Sequence, residues 1–128
     1  DSFMGYANKL PVMIVGHENN EWIVQTEAGV RLRAIASAEN AETWQPGDRA
    51  LACSRPDELE ADPNEPANRL RGIVHLVEYV GKAFEAVVRL ENDENCQLLI
   101  QSERPLEMER PVEFGIRPER LLLFPAGN

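Results

Sequence analysis

Lysine and cysteine are both scarce in this sequence, and acidic side chains outnumber basic ones. Lys9 and Lys82 are the only lysines, and the net charge of the 128 residues is −9. Non-specific binding to DNA or RNA needs many cations to displace phosphate counterions, so we expect no nucleic-acid partner. Cys53 and Cys96 are too few for a disulfide framework and too far apart for a C-x-x-C zinc site. Two buried, reduced thiols in a cytosolic protein are the better interpretation.

Long apolar runs and targeting signals are absent as well. The longest apolar stretches, such as residues 121–124, are far too short to cross a bilayer, which argues against direct membrane insertion. Residues 1–5 carry no signal-peptide pattern, and a chain that opens in this way is expected to be part of a longer polypeptide. Any link to a membrane is therefore expected to run through a partner.

The motifs of catalysis are also missing. Residues 81–83 contain the only Gly-Lys pair, but no Ser or Thr follows the lysine and Leu76 stands where a P-loop needs its first glycine. Residues 79–82 are typical of a strand turning into the next one, so a hairpin is predicted there. His17 and His75 lie in unrelated contexts without metal-ligand spacing. The chain is predicted to have no enzyme activity, no cofactor and no metal of its own.

What the sequence does contain is an internal repeat. Asn-Lys-Leu at residues 8–10 and Asn-Arg-Leu at residues 68–70 open two similar segments. The first segment ends with Ser-Arg-Pro-Asp at residues 54–57, and the second ends with Ile-Arg-Pro-Glu at residues 116–119. Two matches in the same order and at similar spacing indicate a duplicated unit.

A polar, proline-containing stretch at residues 62–66 separates the two segments. We predict two related halves, 1–62 and 63–128, that form one compact domain. Both halves consist of short apolar runs divided by Asn, Asp and Gly, which predicts an all-β, OB-like barrel built from two tandem segments. Strands are predicted at residues 9–16, 21–26, 30–33, 49–54, 70–80, 84–90, 97–102, 112–117 and 120–124.

Three local features qualify this outline. Residues 36–44 are the only segment that suits a helix, and a brief one, whereas residues 91–95 are predicted to form a turn. When the halves are aligned on their Arg-Pro pairs, small residues in the first stand where large ones stand in the second. The difference lets a neighbouring element approach or leaves room for a ligand, and close packing is the expected outcome. The two sets are Ala50, Ala52 and Ser54 against Val112, Phe114 and Ile116.

Three stretches spread along the chain carry family-type motifs. Residues 3–8 have the pattern F-x-G-x-x-N, and residues 72–81 have the pattern G-x-V…Y-V-G. Residues 115–119 are Gly-Ile-Arg-Pro-Glu, with a weaker copy at residues 54–57 in which Asp replaces Glu. In this order the motifs resemble the TOBE (transport-associated OB) domain at the C-terminal end of the ATP-binding subunit of bacterial ABC importers. One departure is Val80, where that family has Leu.

The resemblance implies a regulatory domain appended to an ATPase that powers solute import, of the spermidine/putrescine, iron, sulfate or sugar type. It implies contact with a second copy of the chain, with the ATPase domain of the parent chain and, through that domain, with membrane permease subunits. The complex would lie at the inner, cytoplasmic face of the cell membrane. ATP and Mg²⁺ would bind the parent protein and not this segment, which lacks the P-loop.

The motif residues are expected to be structural. Arg55 and Arg117 are predicted to anchor the ends of the barrel beside Asp57 or Glu119, with two exposed, unpaired charges as the alternative. Asn8 is expected to begin the first strand, together with Phe3 and Gly5, and to bond a turn. The complete motif set is Phe3, Gly5, Asn8, Arg55, Pro56, Gly72, Gly81, Gly115, Arg117, Pro118 and Glu119.

Two other functions remain open at this point. A TOBE module can bind a small ligand instead, either an oxyanion or a cationic solute. An oxyanion site wants backbone N–H groups with Lys, Ser or Thr around a pocket, so the negative charge and the two lysines suit a cationic solute better. A nucleic-acid-binding barrel is disfavoured by the same charge.

Overall fold

The computed structural model describes residues 8–37, 43–61, 63 and 68–126. These residues form strands joined by short turns, which confirms the predicted all-β fold. The helical pieces among them are two single 3₁₀ turns, Pro56–Glu58 and Pro118–Arg120. The strands are β1 (Asn8–Glu18), β2 (Glu21–Thr26), β3 (Arg31–Ala36), β4 (Arg49–Ser54), β5 (Glu60–Ala61), β6 (Asn68–Val80), β7 (Ala83–Leu90), β8 (Asp93–Ser102), β9 (Pro111–Ile116) and β10 (Leu122–Pro125).

Five strands close into a barrel in the order β1-β2-β3-β10-β4. All its pairs are antiparallel except β3 with β10, which is parallel. Successive side chains of a strand point to opposite faces, and β1 shows this alternation clearly. Leu10, Val12 and Ile14 are buried, whereas Lys9, Pro11 and Met13 between them are exposed.

The other five strands form a second sheet in the order β5-β9-β6-β7-β8. Its buried face is apolar and includes Val74, Val88, Ile100 and Phe114, each almost completely removed from solvent. The sheet repeats the first barrel in detail, because β6 is bulged between Val74 and Leu76 as β1 is bulged between Ile14 and Gly16. The bulges lie sixty positions apart, as do the two Asn residues that open the repeat, so the duplication extends to backbone irregularities.

The two segments of the repeat exchange their end strands. β10, near the C-terminal end, lies between β3 and β4 in the first barrel, whereas β5 pairs with β9 in the second sheet. Each exchanged strand follows one of the Arg-Pro 3₁₀ turns, so the crossing occurs at equivalent places in the repeat. The boundary near residue 62 stays a prediction, and the structure adds that each half completes the other.

The exchange explains the difference in side-chain size between the halves. Ala52 lies opposite Leu123 in the β4–β10 pair, whereas Phe114 lies opposite Ala61 in the β9–β5 pair. A small residue therefore meets a large one in both places, with the sizes reversed. Ala52, Leu123 and Phe114 are all at most 1% exposed, which supports close packing rather than an open ligand space at these positions.

Two local predictions, the turn at 91–95 and the helix at 36–44, differ from the structure or lie partly outside it. The predicted turn at residues 91–95 is wrong in extent, because β8 already begins at Asp93 and the turn is confined to Glu91 and Asn92. Asn92 adopts a φ of 61°, which an Asn side chain tolerates and which allows so tight a reversal. Of the predicted helix at 36–44, Ala36 belongs to β3, Trp44 is buried in irregular backbone, and residues 38–42 lie outside the described residues.

Candidate functional site

The seam between the two halves is held by two asparagine side chains, Asn8 and Asn68, which open the two copies of the repeat. Asn8 Nδ2 donates to the carbonyl oxygen of Leu99, and the Leu99 N–H donates to Asn8 Oδ1, both at 2.7 Å. Asn68 makes the same pair of bonds with the backbone of Arg33, also at 2.7 Å. Each asparagine therefore bonds a strand of the opposite half, Asn8 to β8 and Asn68 to β3. We call Asn8, Leu99, Asn68 and Arg33 the seam.

The seam corrects one expectation and adds two residues that lie outside the sequence motifs. Asn8 begins the first described strand, as predicted, but it bonds strand β8 and not a turn. Its Nδ2 also lies 3.5 Å from Ser54 Oγ, which is buried with it. Leu99 and Arg33 escaped prediction because only their backbone takes part, and a backbone contact places no demand on residue type. Phe3 and Gly5 lie outside the described residues.

The two Arg-Pro turns meet at the same end of the molecule. In the first turn, the Glu58 carboxylate accepts the backbone N–H of Arg55 at 3.1 Å, which caps the start of the 3₁₀ segment. The other oxygen of Glu58 lies 3.6 Å from Arg120 of the second turn. Pro56 and Pro118 occupy the first position of each turn, where the missing N–H has no cost. Glu58 therefore ties the turns together.

The residues predicted to anchor the barrel, Arg117 and Glu119, lie on the surface. Arg117 and Glu119 are both exposed, and within the described part of the chain neither comes within 4 Å of an opposite charge. Arg55 is exposed too, and its backbone N–H is the group that Glu58 binds. The anchor role of Arg117 and Glu119 stays a prediction, whereas the ion pair that the structure provides at this end joins Glu58 to Arg120.

The three motif glycines of the second half have separate physical reasons. A Cβ on Gly72 would lie 2.3 Å from the carbonyl oxygen of Arg89, so β6 and β7 approach too closely for any side chain. A Cβ on Gly115 would lie 2.8 Å from the carbonyl oxygen of Asn68. Gly81 has open space but a φ of 65°, and it forms the turn between β6 and β7, which confirms the predicted hairpin.

A shallow groove of about 190 Å³ lies between the β2–β3 turn and the second sheet. Arg69 and Arg71 line it, but Arg69 is already engaged, with Nη1 2.6 Å from Glu113 and Nη2 bonded to the carbonyl oxygen of Pro63. Glu91 and Glu113 bring two carboxylates into the same lining. The groove therefore offers a mixed surface in which the charges largely balance.

The two thiols are poor nucleophiles. Burial raises the pKa of Cys53 to about 11, against a small opposing effect of Lys9. Burial, helped by Asp93, raises the pKa of Cys96 to about 11 as well. Because the thiolate is the reactive form, thiols with such pKa values react slowly at neutral pH.

The described residues contain neither a metal-ligand cluster nor a membrane-spanning helix. No cluster of three or more His, Cys, Asp or Glu side chains is arranged there to hold a metal ion. No helix in that part of the chain has the length and apolar character needed to span a membrane.

Comparison with known proteins identifies the family. The chain is similar in structure to the cytoplasmic molybdate-binding protein ModG, crystallised with molybdate bound, with a TM-score of 0.77 over 94% of this chain and 96% of that chain. Their sequences are only 15% identical, so this likeness concerns the fold alone. No curated protein sequence gives a significant match. The family model described as the TOBE domain matches residues 52–124, which is more than half of the sequence and includes both Arg-Pro turns, and the chain belongs to the TOBE domain family.

Proposed function

We propose that this chain is the C-terminal regulatory domain of the ATP-binding subunit of a bacterial ABC solute importer. It acts by contact with larger neighbours and performs no chemistry itself. Membership in the TOBE family supports the proposal, and so do the F-x-G-x-x-N motif at residues 3–8 and the G-I-R-P-E motif at residues 115–119.

The observation that carries the proposal is the way in which the two halves complete each other. A domain that passes a mechanical state between partners must move as one body, because slack between its parts would absorb the motion. β5 and β10 cross between the halves, and Asn8 and Asn68 bond the opposite half through paired 2.7 Å hydrogen bonds. These connections couple the two halves across the seam.

The partners and the location follow from the proposed role. The neighbours are a second copy of the chain, the ATPase domain of the parent protein and, through that domain, the membrane permease subunits. ATP and Mg²⁺ bind the ATPase domain, so the regulatory domain changes only the balance between its resting and active states. Such a balance shifts by the difference between the affinities of a partner for the two states. The complex lies at the inner face of the cell membrane.

Reconstitution of the importer in proteoliposomes tests the proposal. ATP hydrolysis and solute uptake are compared for the intact ATP-binding subunit and for a shortened subunit from which the TOBE domain has been deleted. We expect the shortened subunit to retain hydrolysis but to lose its normal dependence on transported solute, since the nucleotide domains remain while their regulator is gone. Unchanged hydrolysis, uptake and solute dependence in the shortened importer would reject the regulatory role.

A second candidate is a small-ligand-binding TOBE module, which the likeness to molybdate-binding ModG over nearly the whole chain favours. Arg71 in the groove is exposed and could contact an oxyanion. The neighbouring Glu91 and Glu113, together with the net charge of −9, suit a cationic solute better. Isothermal titration with molybdate, sulfate and spermidine separates the candidates. Saturable binding that Arg71→Ala abolishes, and that Arg31→Ala outside the groove preserves, would favour an oxyanion module.

A further inference from the structure

The groove between the β2–β3 turn and the second sheet lies where the two halves of the repeat meet. Ala28 and Val30 of the turn form one wall, and residues of β6 and of the β7–β8 turn form the other. Ligand sites occur preferentially at such junctions between structural units. The volume of about 190 Å³ is below the roughly 300–1,000 Å³ of pockets for drug-sized ligands, so the groove suits a ligand with only a few non-hydrogen atoms.

Two of the four charged side chains in the lining neutralise each other. Arg69 lies 2.6 Å from Glu113, which leaves Arg71 and Glu91 as the remaining charges. Their backbones are adjacent, because the Glu91 N–H donates to the carbonyl oxygen of Arg71 at 2.9 Å. Both side chains are exposed, yet neither forms an ion pair with the other or with any further charge among the residues that the structure describes. The groove therefore presents one guanidinium and one carboxylate that do not neutralise each other.

The first half shows that the fold does not need these charges. Arg71 and Pro11 occupy equivalent positions, three residues after the asparagine that opens each copy of the repeat. Leu51 is the cross-strand partner of Pro11, as Glu113 is of Arg71. An uncharged pair in one copy therefore takes the place of a charged pair in the other. The charges of the groove belong to the second half alone, which a structural role common to both halves does not explain.

This arrangement of charges discriminates against ligands that carry a single charge. An anion held by Arg71 would lie close to the carboxylate of Glu91, and a cation held by Glu91 would lie close to the guanidinium of Arg71. Like charges that are brought together repel each other, which weakens binding in both cases. A small zwitterion avoids the conflict, because its carboxylate can meet Arg71 while its ammonium group meets Glu91.

The rest of the groove is lined largely by apolar side chains. Leu70 and Leu90 are buried, and Val30 is partly buried against the core. Aliphatic ligand surface that lies against these side chains is removed from water, which favours binding. The lining therefore favours a zwitterion with a short aliphatic group over one that is polar throughout.

We propose that this groove binds a small aliphatic zwitterion of the α-amino-acid type, with its carboxylate on Arg71 and its ammonium group on Glu91. The aliphatic group of the ligand lies against Leu70, Leu90 and Val30. The proposal rests on the second candidate function, in which the chain is a ligand-binding module, and it adds the class of ligand and the residue that takes each charge. The regulatory role does not depend on it.

Isothermal titration of the chain with L-valine and two analogues tests the ligand class. Isovalerate is valine without its amino group, and isobutylamine is valine without its carboxylate, so each analogue keeps the aliphatic group and one charge. We expect saturable binding of L-valine with a dissociation constant of about 1 mM or lower. Each analogue should bind at least about tenfold more weakly, because it loses one charge contact and meets a like charge.

Two variants test the charges of the groove separately. In Arg71→Ala, L-valine should bind no more tightly than isobutylamine, since no guanidinium remains for its carboxylate. In Glu91→Ala, L-valine should bind no more tightly than isovalerate, since no carboxylate remains for its ammonium group. Arg117→Ala and Glu119→Ala are the matched controls, because both residues are exposed and lie outside the groove, and they should change the dissociation constant by less than about twofold. Circular dichroism checks that every variant keeps the β fold.

Three results would overturn the zwitterion site: no saturable binding of L-valine, equal binding of L-valine and its analogues, or binding of L-valine that survives both groove variants. Saturable binding of molybdate, sulfate or spermidine in place of L-valine would overturn the zwitterion site but retain the ligand-binding module. No binding of any of these four compounds would reject both. The importer in proteoliposomes judges the regulatory role independently of these results.

Discussion

The side-chain amide of Asn8 lies against the edge of β8 and bonds the backbone of Leu99 as another strand would, with one N–H donated and one accepted at 2.7 Å. Asn68 does the same to Arg33 in the other half. A primary amide has the same donor and acceptor groups as a peptide unit, so asparagine can continue a hydrogen-bond ladder where no strand is present. The two equivalent asparagines therefore have the same role, since each pairs with the backbone of a strand in the opposite half.

Replacement of Asn8 by Ala should destabilise the chain by about 2–3 kcal/mol, because it removes two hydrogen bonds and leaves the N–H and C=O of Leu99 unpaired. Asn68→Ala should cost a similar amount through Arg33. Urea denaturation gives the free energy of unfolding. Asn95→Ala is the control, since Asn95 is exposed on a strand, and its effect should stay within about 0.5 kcal/mol. Equal effects at Asn8 and Asn95 would contradict the role of the seam.

Gly72→Ala should be strongly destabilising, because the new methyl group would lie 2.3 Å from the Arg89 carbonyl oxygen and 2.5 Å from Val88 Cγ1. Backbone atoms in a paired strand cannot yield cheaply, so a loss of about 3 kcal/mol or more is expected. Gly16→Ala has open space and should change the free energy of unfolding by less than about 1 kcal/mol. Thermal unfolding of both variants makes the comparison, and similar melting temperatures would show that the strands can separate at Gly72.

The repeat, the strands and the hairpin at Gly81 could be predicted because each depends on local sequence. The exchange of β5 and β10 could not be predicted. A short apolar segment such as residues 122–125 has the sequence of a strand, but that sequence does not indicate which sheet the strand joins. Alignment of the two halves showed the difference in side-chain size between Ala52 and Phe114. Its cause became visible only with the partner strands, which place Leu123 opposite Ala52 and Ala61 opposite Phe114. The seam shows the same limit, because its asparagines are visible in the sequence and their backbone partners are not.

The packing of the exchanged strand β10 against β4 gives a prediction about two coupled side chains. Leu123→Ala should cost about 3 kcal/mol, because it empties a fully buried position opposite Ala52. The double variant Ala52→Leu with Leu123→Ala restores the side-chain volume of the pair. In a double-mutant cycle, the double variant should lose less unfolding free energy than the two single variants lose together, by about 1 kcal/mol or more. Strict additivity would mean that the two side chains do not share a space.

Two variants test which residues fix the end of the molecule where the Arg-Pro turns meet: Glu58 with Arg120, or Arg117 with Glu119. Glu58 caps the first turn and pairs with Arg120 of the second, and its side chain is only 14% exposed, so Glu58→Ala should cost about 1 kcal/mol. Glu119→Ala should leave the melting temperature unchanged, because Glu119 is exposed and no opposite charge approaches it among the described residues. A larger loss for Glu119→Ala than for Glu58→Ala would support the predicted anchor role of Arg117 and Glu119.

The raised pKa values of the thiols give a prediction on alkaline pH. Burial holds the pKa of Cys53 and Cys96 at about 11 in the folded chain, above the ordinary thiol value of 9.0. Between these values the unfolded chain has lost protons that the folded chain keeps, so the thiol contribution to stability falls as pH rises through this window.

Cys53→Ala should reduce the fall in unfolding free energy between pH 8 and pH 10.5, measured by urea denaturation at each pH with the exposed Gln97→Ala as control. At pH 8 the native thiols should also react with a disulfide reagent at least about tenfold more slowly than in denaturant, because their thiolate fraction is smaller and Cys53 is buried away from the reagent. Native and denatured chains that react at the same rate would show that burial does not protect the thiols.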